Sequence, residues 1–411
     1  MCPDRAGHLG PVRAQSPSVT AFPVVIAGAG VGGLTAALVL ARHGFRVAVF
    51  EASERLEEIG AGIQLSPNAA RILIALGLAE RLKPHLVVAD ELTVRIARTG
   101  EVLARARLGG ATQERYGAPY WFIHRADLQT ALRDAAAASS AIELRLGTRV
   151  DDFVLMNDGI AITARQGMQV LEAHGLVLIC ADGLWSSLRK RLGPLREPRF
   201  AGHTAWRSLV PTAAAPTEFS QPAVNLWLGR NAHLVHYPVK GGALINVVAI
   251  ARASWKEPGW HVAALRSEVL DRFSPKQWHM SARALLGAAE HWHKWALFDC
   301  AAFASWGRGP ATLLGDAAHP ILPYLAQGAA MAIEDAAVLG QCLVRSGNDP
   351  AAGLRSYEDM RRPRTARVQR ASRRNATIYH LGGAEPLLRA LAFFTLGGDA
   401  LVRRYDWLYA Y

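Results

Sequence analysis

The chain has 411 residues, 51% of them hydrophobic and 19% charged, which is enough apolar content for a full core and excludes wholesale disorder. Cys2, Cys180, Cys300 and Cys342 stand far apart, with no CxxC pair and no Cys/His metal spacing. This excludes a disulfide scaffold, a zinc finger and a dithiol redox centre, and it suits a reducing cytoplasm. The net charge of +12 is carried by arginine, since only six of 46 basic residues are lysine; it reads as a basic soluble surface with no nucleic-acid partner.

The first twenty residues, with Pro3, Pro11 and Pro17, read as a loose tail without the apolar core of a signal peptide. The uncharged stretch from Ala14 to Ala41 is long enough for a membrane span, but its prolines and glycines break it into a strand, a turn and a helix. Pro23 to Ala27 predicts a buried parallel strand, Leu34 to His43 a helix stopped by Gly44, and Phe45 to Phe50 a second strand. Asn68 to Leu82 and Leu128 to Ala138 read as helices, and Ile142 to Leu146 as a strand. Thr204 to Val210, Ala223 to Leu228, Ala232 to Val239 and Ala243 to Ile250 read as short antiparallel strands, with Lys240-Gly241-Gly242 as a hairpin turn. Ala311 to Leu314 returns to a buried strand, Gly328 to Val344 to a helix, and Ala351 to Tyr411 is helical by composition. The seven arginines from Arg361 to Arg374 are expected on a solvated helix face or an interface.

Three motifs carry chemistry. The first is GxGxxG at Gly28, Gly30 and Gly33, placed between a strand and a helix. Gly28 suits a tight turn, Gly30 lets backbone approach a pyrophosphate, and Gly33 lets helix and strand pack closely. Glu51 ends the next strand, where a carboxylate can bind a ribose hydroxyl. The second motif, Asp182-Gly183-Leu184-Trp185-Ser186-Ser187-Leu188-Arg189, follows an apolar run that delivers Asp182 and Gly183 to a sheet's C-terminal edge. The third, Gly315-Asp316-Ala317-Ala318-His319-Pro320, again ends a strand at an aspartate, which can accept hydrogen bonds from sugar or ribityl hydroxyls. The helix expected from Gly328 would aim its positive end at a bound group.

In this order the three motifs resemble the single-component FAD-dependent aromatic hydroxylases. The likeness is to the salicylate hydroxylase-like branch, which includes 3-hydroxybenzoate 6-hydroxylase and 6-hydroxynicotinate 3-monooxygenase. It covers Pro23 to Tyr411. The resemblance implies an α/β fold, with a Rossmann-like FAD-binding domain over 21–200 and 298–350, an inserted antiparallel-sheet substrate domain over 201–297, and C-terminal helices over 351–411. It implies non-covalent FAD, held by Gly28, Gly30, Gly33 and Glu51 at the adenosine diphosphate half. Arg125, Val150, Asp182, Asp316, Gly328 and Ala329 match further cofactor contacts, with Gly183 and Pro320 beside them. NADH or NADPH and O2 are the implied co-substrates, a flavin C4a-hydroperoxide is the hydroxylating species, and a homodimer is the assembly the family suggests.

A strand's period of two puts His233, Val235 and Tyr237 on one face and His236 on the other. A His and a Tyr so spaced can bind or deprotonate a phenol, and imidazole suits a general base near neutral pH. The resemblance places His233 and Tyr237 in the substrate pocket as the catalytic pair. Gln64 stands where the hydroxynicotinate enzyme carries a histidine, which argues against that substrate. Pro323 and Tyr324 stand where relatives differ and would tune ring placement. Arg207 can clamp a carboxylate or lie on the surface, and His319 is expected to be structural. No metal is expected. The reading is a cytoplasmic monooxygenase of a small aromatic acid. An epoxidase or hydroxylase of a larger neutral substrate, and a non-catalytic flavin-binding sensor, stay open beside it.

Overall fold

The computed structural model describes residues 22–56, 61–193, 197–259, 262–380 and 398–411; the expected tail lies outside them. Val24–Ala27, Val47–Phe50 and Leu178–Cys180 are short apolar runs buried on both faces, as strands covered by helices on either side must be. They centre a six-stranded sheet in the order 307–308, 311–313, 178–180, 24–27, 47–50, 142–145, parallel except at the 307–308 edge. The Val31–Arg42 helix links its first two strands in chain order. It begins before Leu34 because Gly30 provides an extended cap and the glycines join its first turn. The Gly328–Arg345 helix crosses it so closely that a Cβ on Gly340 would lie 2.4 Å from Val39 Cγ1.

A second sheet of eight strands runs 262–264, 292–299, 199–211, 244–252, 232–239, 223–229, 91–96, 102–107. It is not confined to residues 201–297. Glu91–Ile96 pairs in parallel with Ala223–Gly229, and Val102–Arg107 follows it, because the outer edge of Ala223–Gly229 would otherwise leave its backbone groups unpaired. Lys240 to Gly242 turns between Ala232–Val239 and Leu244–Arg252 with positive φ at all three residues.

One sequence expectation is corrected and a second divides. Asn68 to Leu82 is two helices, Pro67–Ala75 and Ala79–Leu82, because Gly77 at φ +78° turns the chain between them. The arginines expected on a solvated face or an interface divide between the two: Arg367, Arg370 and Arg374 are exposed, while Arg361, Arg364 and Arg373 turn to carboxylates packed against the Pro350–Tyr379 helix. Arg361 is fully buried, Arg364 grips both oxygens of Glu334 at 2.6 Å, and Arg373 grips Asp299 at 2.6 and 2.9 Å. Charge of one sign on a helix is solvated only where no opposite charge packs against it, and here Glu334, Asp335 and Asp299 do.

Candidate active site

The two sheets and the C-terminal helices enclose a cavity of about 500 Å³. Two helices begin at its wall. Val31–Arg42 starts after Gly30, and Gly328–Arg345 starts after Gln327; neither start has a side-chain cap, and Gly30, Val31, Gly32, Gln327, Gly328 and Ala329 all line the cavity. Their free N–H groups and dipoles give that end of the cavity a positive potential. The second helix is held in place from below. Asn68 donates to Glu334 Oε1 at 2.6 Å, and Gln327 donates to Ser66 Oγ at 2.8 Å, all in a buried network.

The glycine motif divides its work as its spacing predicts. A Cβ on Gly33 would lie 1.9 Å from Gly28 O, and one on Gly28 (φ +110°) would lie 2.4 Å from Ala181 O. A Cβ on Gly30 would meet nothing within 4 Å, so its backbone is open to an approaching group. Glu51 anchors this loop, accepting from Ala29 N at 2.7 Å and from Ser53 N at 2.9 Å. Val150 lies in the Thr148–Leu155 strand, whose Thr148 N donates to Glu51 O at 2.7 Å, so it flanks the same end.

Arg125 opens the Arg125–Ala137 helix and lines the cavity with Asp316. Asp316 keeps surface exposed and lines the cavity. Desolvation by the surrounding protein raises its pKa, and the charges of His319 and Arg125 oppose that rise. Asp182 is likewise pushed up by burial, and its Oδ1 is buried without a hydrogen-bond partner. Arg189, the last residue of its motif, donates to the carbonyls of Leu184 at 2.8 Å and Ala317 at 2.8 Å. It therefore locks the second motif's turn to the third, a role its sequence position did not announce. His319 is structural: its Nε2 bonds buried Asp335 Oδ2 at 2.5 Å. Gly28, Gly33, Glu51, Val150, Asp182 and Pro320 do not line the cavity, and the Pro320 carbonyl accepts from Gln369 at 2.8 Å.

These groups fit FAD. Two helix starts and Arg125 suit a pyrophosphate, Gly30 leaves room for it, and the Asp316 carboxyl is an acceptor for hydroxyl groups.

The far end of the cavity is walled by the eight-stranded sheet. His233, Val235 and Tyr237 line it, while His236 faces away and accepts from Trp227 Nε1 at 3.0 Å. Tyr237 packs on Phe122 with centroids 4.9 Å apart and the rings tilted by 38°, and burial pushes its hydroxyl well above the usual tyrosine range. Gln64 hydrogen-bonds Tyr237 and accepts from Tyr120 at 2.8 Å. Arg207 is no surface residue. Its guanidinium lies 3.8 Å from the centre of the Trp295 ring, its Nε is buried without a hydrogen-bond partner, and burial lowers its pKa to about 10. Pro323 and Tyr324 close the wall, and Tyr324 Oη is also buried and unpartnered.

The C-terminal segment contributes cavity residues that sequence reading missed: Asn375 and Tyr379, then Val402, Arg404, Tyr405 and Tyr409. The aromatic clustering at Tyr405, Trp407, Tyr409 and Tyr411 was the available signal. Among the described residues, no helix is long and apolar enough to cross a membrane.

Residues 21–372 match the FAD binding domain family. The chain is 38% identical to 3-hydroxybenzoate 6-hydroxylase 1 from Aquipseudomonas alcaligenes, over 94% of this chain and 97% of that one. It is 39% identical to 3-amino-4-hydroxybenzoate 2-monooxygenase PtnB3 from Streptomyces platensis, over 94% of this chain and 96% of that one. Among solved structures it resembles a salicylate hydroxylase substrate complex, with a TM-score of 0.80 and 26% identity, covering 97% of this chain and 96% of that one.

Proposed function

This chain belongs to the FAD binding domain family and is an FAD- and NAD(P)H-dependent aromatic-ring monooxygenase, and from that premise we propose that it hydroxylates a phenolic benzoate, with His233 as base and Arg207 as carboxylate clamp. The observation that carries the substrate class is the half-buried Arg207, stacked on Trp295 in the same cavity wall as His233 and Tyr237, with its Nε buried and unpartnered. A cation with a buried N–H unpaired is costly, and a bound aromatic acid would supply the partner. The same residue disfavours a larger neutral substrate.

Gly28, Gly30, Gly33, Glu51 and Val150 would hold the adenosine diphosphate half of FAD, and Arg125, Asp182, Gly183, Asp316, Pro320, Gly328 and Ala329 the remainder. FAD held by these residues would supply the redox chemistry, hydride acceptance from NAD(P)H and transfer of one atom of O2 to the ring. The protein's part is to place and ionise the substrate. Burial and the two imidazoles beside it hold His233 well below its ordinary pKa, so it is neutral and keeps a ring nitrogen lone pair for the phenol O–H. Tyr237 keeps its own proton and can donate to the phenolate oxygen that forms. Gln64, Pro323 and Tyr324 would set the ring's lateral position. Residues 21–200 and 298–350 would serve mainly the cofactor, 201–297 with the 91–107 strands, Gln64, Pro323 and Tyr324 the substrate, and 351–380 and 398–411 would close the cavity. A cytoplasmic homodimer completes the reading; among the described residues no cysteine is in a disulfide, which supports the reducing compartment.

The test is NADH oxidation by the FAD-loaded protein in aerated buffer, across hydroxy- and amino-substituted benzoates, with labelled O2. One compound should stimulate oxidation strongly and gain one labelled oxygen. Flat, slow oxidation with every acid would remove the phenolic-benzoate reading.

A further inference from the structure

Behind His233 stands a second imidazole that the steps above do not use. His233 Nδ1 and His380 Nε2 are 2.9 Å apart, and both rings are buried. One nitrogen donates and the other accepts, so the neutral pair shares one N–H. Because Nδ1 is engaged, Nε2 is the nitrogen His233 presents to the cavity it lines. His380 does not line the cavity; it caps the C-terminal end of the 30-residue Pro350–Tyr379 helix. That end carries the negative pole of the helix dipole, which favours a cation on His380 over one on His233. The groups facing the pair are Tyr324 and Tyr379, whose rings lie 5.5 and 5.3 Å from His233, and His203, stacked on His380 at 4.3 Å. Arg252 acts on His203 by charge, and Arg404 acts on Tyr379.

We propose that His380 is a positioning residue that receives the substrate's phenol proton through His233. The phenol O–H breaks and its proton bonds to His233 Nε2, while the His233 Nδ1 proton passes to His380 Nε2. The electron pair stays on the phenolate oxygen, His233 ends neutral with its tautomer exchanged, and His380 ends as the imidazolium. The hydrogen bond sets both the direction and the tautomer. This inference rests on the reading of His233 as the base.

The experiment uses the FAD-loaded enzyme with a ring-fluorinated hydroxybenzoate, whose 19F shift reports the pH at which the bound phenol ionises. His380→Gln keeps a hydrogen-bonding group but cannot take up the proton. The expected result is a rise of about one pH unit or more in that midpoint. Below the midpoint kcat should fall by about tenfold or more and recover as pH rises, with KM within about threefold. An unchanged midpoint, or a kcat loss equal at every pH, overturns the proposal. Retained FAD and thermal midpoint establish that the variant is folded, and His380→Asn replaces it otherwise. His233→Gln separates the two readings. If it leaves the midpoint unmoved, the base assignment fails and the relay with it; if it moves the midpoint and His380→Gln does not, only the relay fails.

Discussion

Arg361 donates its Nε to Asp335 Oδ1 at 2.6 Å, with both side chains fully buried. Its Nη1 reaches Glu334 Oε2 at 2.7 Å. The other oxygen of Asp335 accepts from Gly315 N at 3.1 Å and bonds His319. One carboxylate thus ties the turn that carries Asp316 to the Gly328–Arg345 and Pro350–Tyr379 helices. Burial pushes the Asp335 pKa up, but His319 and Arg361 outweigh it and leave it at about 2.

Removing the cation should therefore loosen the cofactor end of the molecule. Arg361→Met leaves two buried carboxylates without their shared partner, a loss of about 3–5 kcal/mol. Denaturant unfolding should show it, together with weaker FAD retention. A loss under about 1 kcal/mol would mean that Glu334 and Asp335 are satisfied without it.

The glycine motif predicts two opposite outcomes. Gly33→Ala forces a methyl against Gly28 O and should unfold or misplace the loop even without cofactor. Gly30→Ala finds open space, so the apo protein should keep its thermal midpoint while FAD binding weakens. Equal loss of apo stability in both variants would refute this division.

Arg207→Ala should weaken binding of a hydroxybenzoate by about 1.5–3 kcal/mol, or roughly ten- to a hundredfold, and leave an uncharged phenol nearly unaffected. Titration calorimetry with the acid and its methyl ester reads the difference. Equal losses for both would show that Arg207 acts through packing on Trp295 alone.

His236 predicts acid sensitivity. Burial lowers its pKa to about 3, with the Arg95 charge adding to the effect. Between about pH 6.5 and 3 the unfolded chain binds a proton that the folded chain refuses, so stability falls as pH falls, by about 1.4 kcal/mol per unit for this one group. His236→Phe should lower stability at neutral pH through the lost Trp227 bond, yet flatten the slope across that window. Unfolding free energy measured from pH 7 to 4 tests it; an unchanged slope would assign the acid sensitivity elsewhere.

Much of the cofactor end was legible because its signals are local. Gly28, Gly30 and Gly33 lie within six residues of each other, and the steric demand on Gly28 and Gly33 comes from backbone close by or just past the adjoining strand, while Gly30 is left open. The Ala232–Val239 strand has the predicted bounds, and its alternation alone put His233 and Tyr237 on the cavity side with His236 behind them. A dihedral period is a property of the chain itself and needs no partner to be read.

The rest depended on partners distant in sequence. A basic run from Arg361 to Arg374 has the same composition whether water or carboxylates surround it, and only packing against Glu334, Asp335 and Asp299 decides for burial. Arg207 reads equally well as a surface residue until Trp295 lies beneath it. His233 and His380 are 147 positions apart, and no spacing rule joins them. What could be read without the fold was the strands 24–27, 47–50 and 232–239, the glycine turn, the Gly328 helix start and the face of His233 and Tyr237, because these follow from backbone geometry over a few residues. The tertiary structure alone decided which charges are buried and which imidazoles share a proton, because desolvation and pairing are set by what the fold brings alongside.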